Sequence, residues 1–377
     1  MSVVIPCLNE EENIEECVTR ALTALDEAGI PGEVVVANNA STDRSKELAT
    51  AAGARVVDEP RRGYGSAYLA GFAAARGKYI VMGDADLTYD FAEIPKFVEK
   101  LDGGDELVMG DRMKNIHKGA MPWHHRYIGN PVLTGVLNVF FRTGVSDAHC
   151  GMRAIRRDVL PRLDLRTTGM EFASEMVIRA SKEKLVIDEF PIQYYPRGGT
   201  SKLSSWRDGW RHLRFLLVHS PNYLFIFPGA LIALLGSIAA AISISGVDLF
   251  GRELQLHSMV AASLAMIVGT QIVALGLAAH AYGAYFMNEK DPWFDRNRAR
   301  FRLEDGLMLG GAVIAVGVLL GAIIFVRWAQ NDFGALSEER LAILAATLVT
   351  VGTQIFFGSF LLSILGLRRE DRTTADI

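Results

Sequence analysis

Short apolar runs alternate with amphipathic stretches in the first half of the chain, and long unbroken apolar runs fill the second. Ser2–Pro6, Glu33–Ala37, Arg55–Val57, Tyr79–Met82 and Leu107–Gly110 are brief apolar runs between turn residues, the pattern of strands buried in a parallel sheet. Between them, apolar residues recur at helical spacing. Ile14, Cys17, Val18, Ala21, Leu22 and Leu25 mark a first helix, predicted to start at an Asn9 cap with Glu10, Glu11 and Glu12 in its first turn. Further helices are predicted from the Asn38–Asp43 loop to Gly53, from Gly63 to Gly77, and over Phe91–Leu101, Pro131–Arg142 and Glu171–Lys184, with a last strand at Val186–Tyr195. This alternation predicts a parallel sheet with helices on both faces. His117–Arg126 reads as a flap, Ser146–Arg153 as a loop and Arg197–Lys202 as a flexible basic loop.

Beyond residue 205 the pattern changes. Trp206–His219 mixes Trp206, Trp210, Leu213, Phe215 and Leu217 with Arg207, Arg211, His212 and Arg214, which suits a helix lying at a membrane surface. Tyr223–Ser245, Ser258–Phe286, Gly306–Trp328 and Leu341–Leu367 follow as uncharged or nearly uncharged apolar runs. Each is near or above the roughly 20 residues that cross a bilayer core. Lys290, Arg296, Arg298, Arg300 and Arg302 lie between the second and third runs and Arg368, Arg369 and Arg372 in the tail, whereas Arg252 stands alone between the first two. The positive-inside rule then predicts an integral membrane protein with its N-terminal domain and both termini cytoplasmic. The predicted domains are 1–205, catalytic; 206–221, interfacial helix; 222–367, four transmembrane helices; and 368–377, cytoplasmic tail.

Composition agrees. The 377 residues are 50% hydrophobic with a net charge of −4, so no broad basic surface exists and nucleic acid is excluded as a partner. The mean hydropathy of +0.20 is high for a soluble chain. Cys7, Cys17 and Cys150 have neither metal-ligand spacing nor the numbers of a disulfide framework, which points to a reducing compartment. No signal peptide is expected, because Val3–Ile5 is too short and Pro6 and Asn9 follow at once.

Asp84 and Asp86 provide the candidate chemistry. They follow the apolar run Tyr79–Met82, where an open α/β sheet binds its ligands. Two carboxylates alternating there can hold a hard divalent cation on a diphosphate, and can equally form a solvated turn. Other stretches leave choices open. Asp147, His149 and Cys150 suggest either a metal site or, more simply, a loop turn with a buried cysteine. Glu171 and Glu175 share a helix face, toward a sugar or the arginines, or toward solvent. Gly63–Gly65 is glycine-rich but lacks the Lys-Ser/Thr of a P-loop.

The order Pro6-Cys-Leu-Asn-Glu-Glu11, Asn38–Asp43, Asp84-Ala-Asp86, Gly110-Asp-Arg112 and Arg197…Ser201-Lys202 resembles that of family-2 glycosyltransferases. More narrowly, the chain resembles the polyprenyl- and dolichyl-phosphate glycosyltransferases (the dolichyl-phosphate mannose or glucose synthase type) with C-terminal membrane helices. The likeness covers about residues 1–205 by motif and the remainder by architecture. It implies an α/β GT-A (Rossmann-like) catalytic domain, with Asp84 and Asp86 as the metal-holding Asp-x-Asp pair for Mg²⁺ or Mn²⁺. It places Pro6, Asn9, Glu11, Asn38, Asn39, Asp43, Asp84 and Ala85 at the nucleotide. Arg112, Arg126, Asn130, Arg197 and Lys202 fall around the acceptor phosphate, with Asp84, Asp86, Arg112, Arg126 and Arg197 as the catalytic set. Two positions depart from the pattern. Asn38 and Asn39 stand where the family has two aspartates, and Thr88 stands where mannosyl members often carry Gln.

The resemblance implies inverting transfer of a hexose from a nucleotide-sugar, UDP-glucose before GDP-mannose, to a polyprenyl phosphate at the cytoplasmic membrane face. The partners are those two substrates and the membrane, with a homo-oligomer left open. Two alternatives remain from sequence. A processive polysaccharide synthase would carry a Gln-x-x-Arg-Trp signature, which this chain lacks. A non-catalytic membrane scaffold is motivated by the amides at Asn38 and Asn39 and opposed by the intact aspartate pair.

Overall fold

A computed structural model describes residues 1–199, 205–247, 256–286, 294, 296, 302–334 and 338–367. Lys202, the tail and most of the basic stretch between the second and third apolar runs lie outside the described residues. The chain divides into two compact units, Met1–Leu216 and Leu217–Ile377.

The first unit is built on strands β1 (Ser2–Cys7), β2 (Glu33–Asn38), β3 (Arg55–Asp58), β4 (Tyr79–Met82), β5 (Leu107–Asp111), β6 (Arg153–Arg156) and β7 (Ile187–Pro191). They form one seven-stranded sheet in the order β3-β2-β1-β4-β6-β5-β7. Helices α1 (Ile14–Glu27), α2 (Ser45–Ala51), α3 (Tyr64–Ala74), α4 (Ile94–Asp102), α5 (Asn130–Phe141), α6 (Leu160–Leu163), α7 (Phe172–Lys182) and α8 (Ser205–Val218) accompany it. One face of the sheet packs Val3, Ile5, Val34, Val36 and Val81 against α1 and α4. The other packs Val4, Val35, Ile80, Met82, Leu107 and Met109 against α3, α5, α7 and α8. This is the two-layered burial that a run of apolar residues with no polar face requires.

The sheet is mixed, not parallel. β6 runs antiparallel between β4 and β5. Its sequence, Arg-Ala-Ile-Arg, has polar residues at both ends; the predicted loop ends at Arg153, and no element is predicted over 154–156. The strand forms because Arg153 is fully buried and satisfied by main-chain carbonyls, which no periodicity reveals. A second correction concerns Asn9. It caps no helix: α1 begins only at Ile14, after a turn in which Ile14 N–H bonds to Glu10 O. Asn9 instead takes a left-handed conformation, φ 53°, which Asn tolerates better than most residues. β1 also runs through Pro6 to Cys7. Val4 O bonds toward β4 and Cys7 O toward β2, so Pro6 nitrogen faces the β4 side. Pairing on that side has ended at Val4–Met82, and the missing N–H costs no ladder bond.

In the second unit, four helices are long and apolar enough to cross a membrane: Asn222–Ser245, Leu256–Phe286, Leu303–Gln330 and Glu339–Gly366. They coincide with the four predicted runs to within a few residues. Close approach is made through small residues. A Cβ on Gly269 would lie 2.4 Å from Ala233 N, and one on Gly310 would lie 2.7 Å from Phe356 N.

Candidate active site

The loops carrying the candidate residues leave the carboxyl ends of β1, β2, β4, β5 and β7. β1 and β4 flank the point where chain order reverses in the sheet, the usual ligand crevice of such folds.

The first two loops are stitched together. Asn9 Oδ1 accepts the Thr42 N–H at 2.7 Å and Asn9 N–H donates to Ser41 Oγ at 3.0 Å. Glu10 N–H donates to Ser45 Oγ at 2.8 Å and Glu11 N–H to Asp43 Oδ2 at 3.2 Å. Burial alone raises the Asp43 carboxyl, but hydrogen bonds from Ser45 and from main-chain N–H groups outweigh it and hold its pKa below the usual range.

The amides at Asn38 and Asn39 have structural work. Asn39 is buried and uses both ends of its side chain. Nδ2 donates to Glu59 O at 3.1 Å and Arg61 O at 2.8 Å, while Oδ1 accepts the Gly63 N–H at 2.7 Å. A carboxylate could accept from Gly63 but would face two carbonyls with no proton to give. Asn38 Nδ2 donates to Asp58 Oδ1 at 2.8 Å, where an aspartate would meet like charge. Asn39→Asp is therefore expected to destabilise the catalytic unit by about 1–3 kcal/mol, read as a lowered melting temperature. Unchanged melting would contradict this account of the departure.

At the end of β4, each carboxylate is held by one oxygen. Asp84 Oδ1 accepts the Tyr64 hydroxyl at 3.1 Å and the Tyr68 hydroxyl at 3.3 Å. Asp86 Oδ1 accepts Thr88 N–H at 3.1 Å and Thr88 Oγ–H at 2.6 Å. Thr88 thus fixes the Asp86 rotamer. Among the described residues, neither Oδ2 accepts a hydrogen bond. That of Asp86 faces Arg197 Nε at 3.3 Å, and Arg197 Nη2 lies 3.8 Å from Glu10 Oε1. A Cβ on Gly151 would fall 2.7 Å from Asp84 Oδ2, so only glycine leaves that oxygen open. Burial first, then the charge of Asp86, pushes the Asp84 pKa up to about 7. Tyr64, Tyr68 and Gly151 escaped the sequence reading. The i, i+4 spacing of the tyrosines on α3 is the signal that could have found them.

The donor set fits a shared divalent cation. Two hard oxygens project from one segment, and the described residues contain no cluster of three or more His, Cys, Asp or Glu that would close a protein-only cage.

Arg112, after β5, is buried and paired bidentately with Asp147: Nε to Oδ2 at 2.7 Å and Nη2 to Oδ1 at 2.8 Å. Its guanidinium lies 5.2 Å from the Tyr194 ring. Arg112 lowers the Asp147 carboxyl below its ordinary value against the opposing effect of burial. Of five N–H bonds, those on the outer edge of Arg112 remain for a second anion. Asp147 opens the expected loop turn, closed by Cys150 N–H to Asp147 O at 3.3 Å with Cys150 buried, and its carboxylate is in addition a buried ion-pair partner. Glu189 holds it by accepting the N–H groups of Ser146 at 2.7 Å and Asp147 at 3.3 Å.

Arg126 closes the flap and Asn130 begins α5. A π-helical turn over His125–Gly129 runs straight into α5, so Asn130 lies inside continuous helix and caps nothing. Arg126 packs over the Tyr127 ring at 5.4 Å. Among the described residues, no hydrogen bond or ion pair joins Arg126 or Asn130 to Asp84, Asp86, Arg112 or Arg197. Trp123, Tyr127, Ile128, Val132 and Val139 are exposed beside them.

Glu175 is a clamp, buried and accepting the N–H groups of Arg166 and Thr167, while Glu171 lies apart, half-exposed. Ser66 N–H and Gly65 N–H bond to Thr168 O and Gly169 O, so the Gly63–Gly65 loop spends its N–H groups on protein and not on phosphate. The three cysteines are free and buried, with burial pushing Cys7 to about 11 and Cys17 and Cys150 to about 12.

Residues 2–163 match the family model described as Glycosyl transferase family 2, and residues 277–366 match the Glycosyltransferase family 2 C-terminal transmembrane region. Over 368 residues the chain is 42% identical to the low-salt glycan biosynthesis hexosyltransferase Agl6 of Haloferax volcanii, spanning 97% of this chain and 89% of that one. The chain belongs to glycosyltransferase family 2. The transferase is also 34% identical over 212 residues to a dolichyl-phosphate hexose transferase of the same organism, spanning 55% of this chain and 89% of that one. Among solved structures it is similar to glucosyl-3-phosphoglycerate synthase from Mycobacterium tuberculosis in complex with Mn²⁺, UDP and glucosyl-3-phosphoglycerate, at 24% identity and a TM-score of 0.46, covering 58% of this chain and 77% of that one. The transferase has a family-2 catalytic unit followed by the family's C-terminal transmembrane region.

Proposed function

We propose that the transferase moves a hexose from a nucleotide-sugar to a polyprenyl phosphate at the cytoplasmic membrane face, with inversion at the anomeric carbon. The observation that carries this reading is the pair of Asp84 and Asp86 Oδ2 atoms, neither accepting a hydrogen bond among the described residues and that of Asp86 ion-paired with Arg197, between a stitched loop pair and two arginines. Asp84 and Asp86 would hold Mg²⁺ or Mn²⁺, which when bound neutralises charge on the leaving diphosphate. A lipid phosphate oxygen attacks the anomeric carbon, the carbon–oxygen bond to the diphosphate breaks, and the nucleoside diphosphate leaves. A phosphate monoester is largely dianionic near neutral pH, its second pKa being about 6, so no strong general base is needed. Arg112 presents its outer edge to the acceptor phosphate, and Arg197, within reach of Asp86 and Glu10, serves the phosphates from the opposite loop. The outward Trp123, Tyr127 and Ile128 around Arg126 suit a flap lying among lipid headgroups.

Full-length protein in nanodiscs, given UDP- and GDP-hexoses, Mg²⁺ or Mn²⁺ and a short polyprenyl phosphate, should form one lipid-linked monosaccharide. Products with several sugars would indicate a synthase, and no turnover of any donor would indicate a scaffold.

The raised Asp84 pKa predicts how cation binding responds to pH. Folded Asp84 holds its proton up to about 7, above the ordinary carboxylate value, so its contribution to stability falls as pH rises through that window. A cation competes with the proton. The thermal shift produced by Mn²⁺ should therefore grow from about pH 5.5 to about pH 8 and level off above neutrality. A shift independent of pH would show that Asp84 is not a ligand.

A further inference from the structure

Helix α8 turns Trp210, Arg211, Arg214 and Val218 outward and buries His212 and Leu216, one turn apart, against the catalytic unit. Leucine on an inward face is ordinary, and a buried histidine there is the informative residue. His212 Nδ1 lies 3.0 Å from the Ser174 hydroxyl on α7, which is fully buried. The same hydroxyl lies 3.4 Å from His149 Nε2, and the two imidazole rings meet edge-on with centroids 4.7 Å apart.

One hydroxyl has one proton, so Ser174 donates to one ring and accepts from the other. His149 decides the direction. Burial, then the neighbouring His212, lowers its pKa well below the ordinary value, so it is neutral and carries a single ring proton. His149 Nδ1 is buried with no hydrogen-bond partner. An orphaned N–H costs more than an orphaned lone pair, so the proton sits on Nε2. The order is His149 Nε2–H to Ser174 Oγ, then Ser174 Oγ–H to His212 Nδ1.

The far end of this chain reaches the acceptor side. His149 main-chain N–H donates to Asp147 Oδ1 at 3.3 Å, the oxygen that also takes Arg112 Nη2. Arg153 ties the neighbouring backbone together, donating to Ala148 O at 2.7 Å, Cys150 O at 2.8 Å and Ala173 O at 2.7 Å. Loop 147–150 and the start of α7 are thus one body, and α8 joins it through His212. An apolar contact would let α8 slide; a hydrogen bond fixes its register.

We propose that His149, Ser174 and His212 are positioning residues, a hydrogen-bonded relay through which amphipathic helix α8 fixes the Asp147 loop and thereby Arg112. The inference rests on the reading of Arg112 as a receiver of the acceptor phosphate. It makes lipid-phosphate recognition depend on how α8 is seated.

The test uses full-length protein in nanodiscs. His212→Phe keeps the ring and removes its nitrogens; His212→Asn keeps a polar group at the Nδ1 position. His212→Phe should raise the KM for polyprenyl phosphate about tenfold, the loss of about one net hydrogen bond, with donor KM near wild type and the melting temperature lowered by only a few degrees. Ser174→Ala should match it, the double variant should be no worse than either single, and His212→Asn should recover most of the loss. Amide exchange over 147–150 should rise about tenfold in His212→Phe. An unchanged acceptor KM, or a fall in melting temperature and kcat with no KM split, overturns the relay. Arg112→Lys run alongside separates the two ideas. If it raises acceptor KM and His212→Phe does not, the relay fails and the acceptor reading stands; if neither does, both fail.

Discussion

Asp86→Ala is expected to cut sugar transfer by about a thousandfold or more while the catalytic unit stays folded. The change removes one of two carboxylates whose Oδ2 atoms accept no hydrogen bond at the end of β4, and with it the charge that a cation on the diphosphate would need. Folding should survive because Asp86 stands at the rim of the sheet, and Arg197 also approaches Glu10. Asp86→Asn sharpens the test. It retains an oxygen for Thr88 to hydrogen-bond, so the local geometry is kept while the charge is lost. Both variants should melt within a few degrees of the parent and both should be inactive with Mg²⁺ and with Mn²⁺. Near-parental turnover in either would remove Asp86 from the chemistry.

The Arg112–Asp147 pair carries the second large effect, on stability. Asp147 is fully buried and Arg112 nearly so. Asp147→Ala strands the guanidinium in the interior, at a cost of about 3–5 kcal/mol and a melting temperature lower by about 10 °C or more. Replacing both members, as Arg112→Met with Asp147→Leu, removes the stranded charge and should restore most of the melting temperature without restoring transfer. A double variant as unstable as Asp147→Ala would mean that the stranded charge is not the cause. A double variant that transfers sugar would take Arg112 out of acceptor recognition.

The legible features were those with local signals. Tyr79–Met82 is apolar at every position because both faces of β4 are covered, and the aspartates that follow occupy the strand's ligand-binding end wherever the other strands pair. The four apolar helices were readable because a span must satisfy its own backbone and hide every residue from water. β6 was not, since Arg153 is buried against the carbonyls of Ala148 and Cys150 in the loop before it and of Ala173 on α7, which no periodicity reveals. Asn9 resembled a helix cap because the capping signature uses the same residue type as the left-handed bend that it forms.

Residue order alone determined the α/β catalytic half, the four apolar helices and the Asp84–Asp86 pair, because each is encoded in contiguous residues. Only the tertiary structure decided how that pair is presented. Tyr64 and Tyr68 come to Asp84 from α3, Arg197 comes to Asp86 from beyond β7, and Gly151 leaves Asp84 Oδ2 uncovered. It likewise paired Arg112 with Asp147 and brought His212 to Ser174. These partners are 16 to more than 100 residues apart in the chain, with Asp147 35 from Arg112 and His212 38 from Ser174. Nothing local in composition or spacing specifies such pairs: burial leaves each polar group to find its partner wherever the fold delivers one.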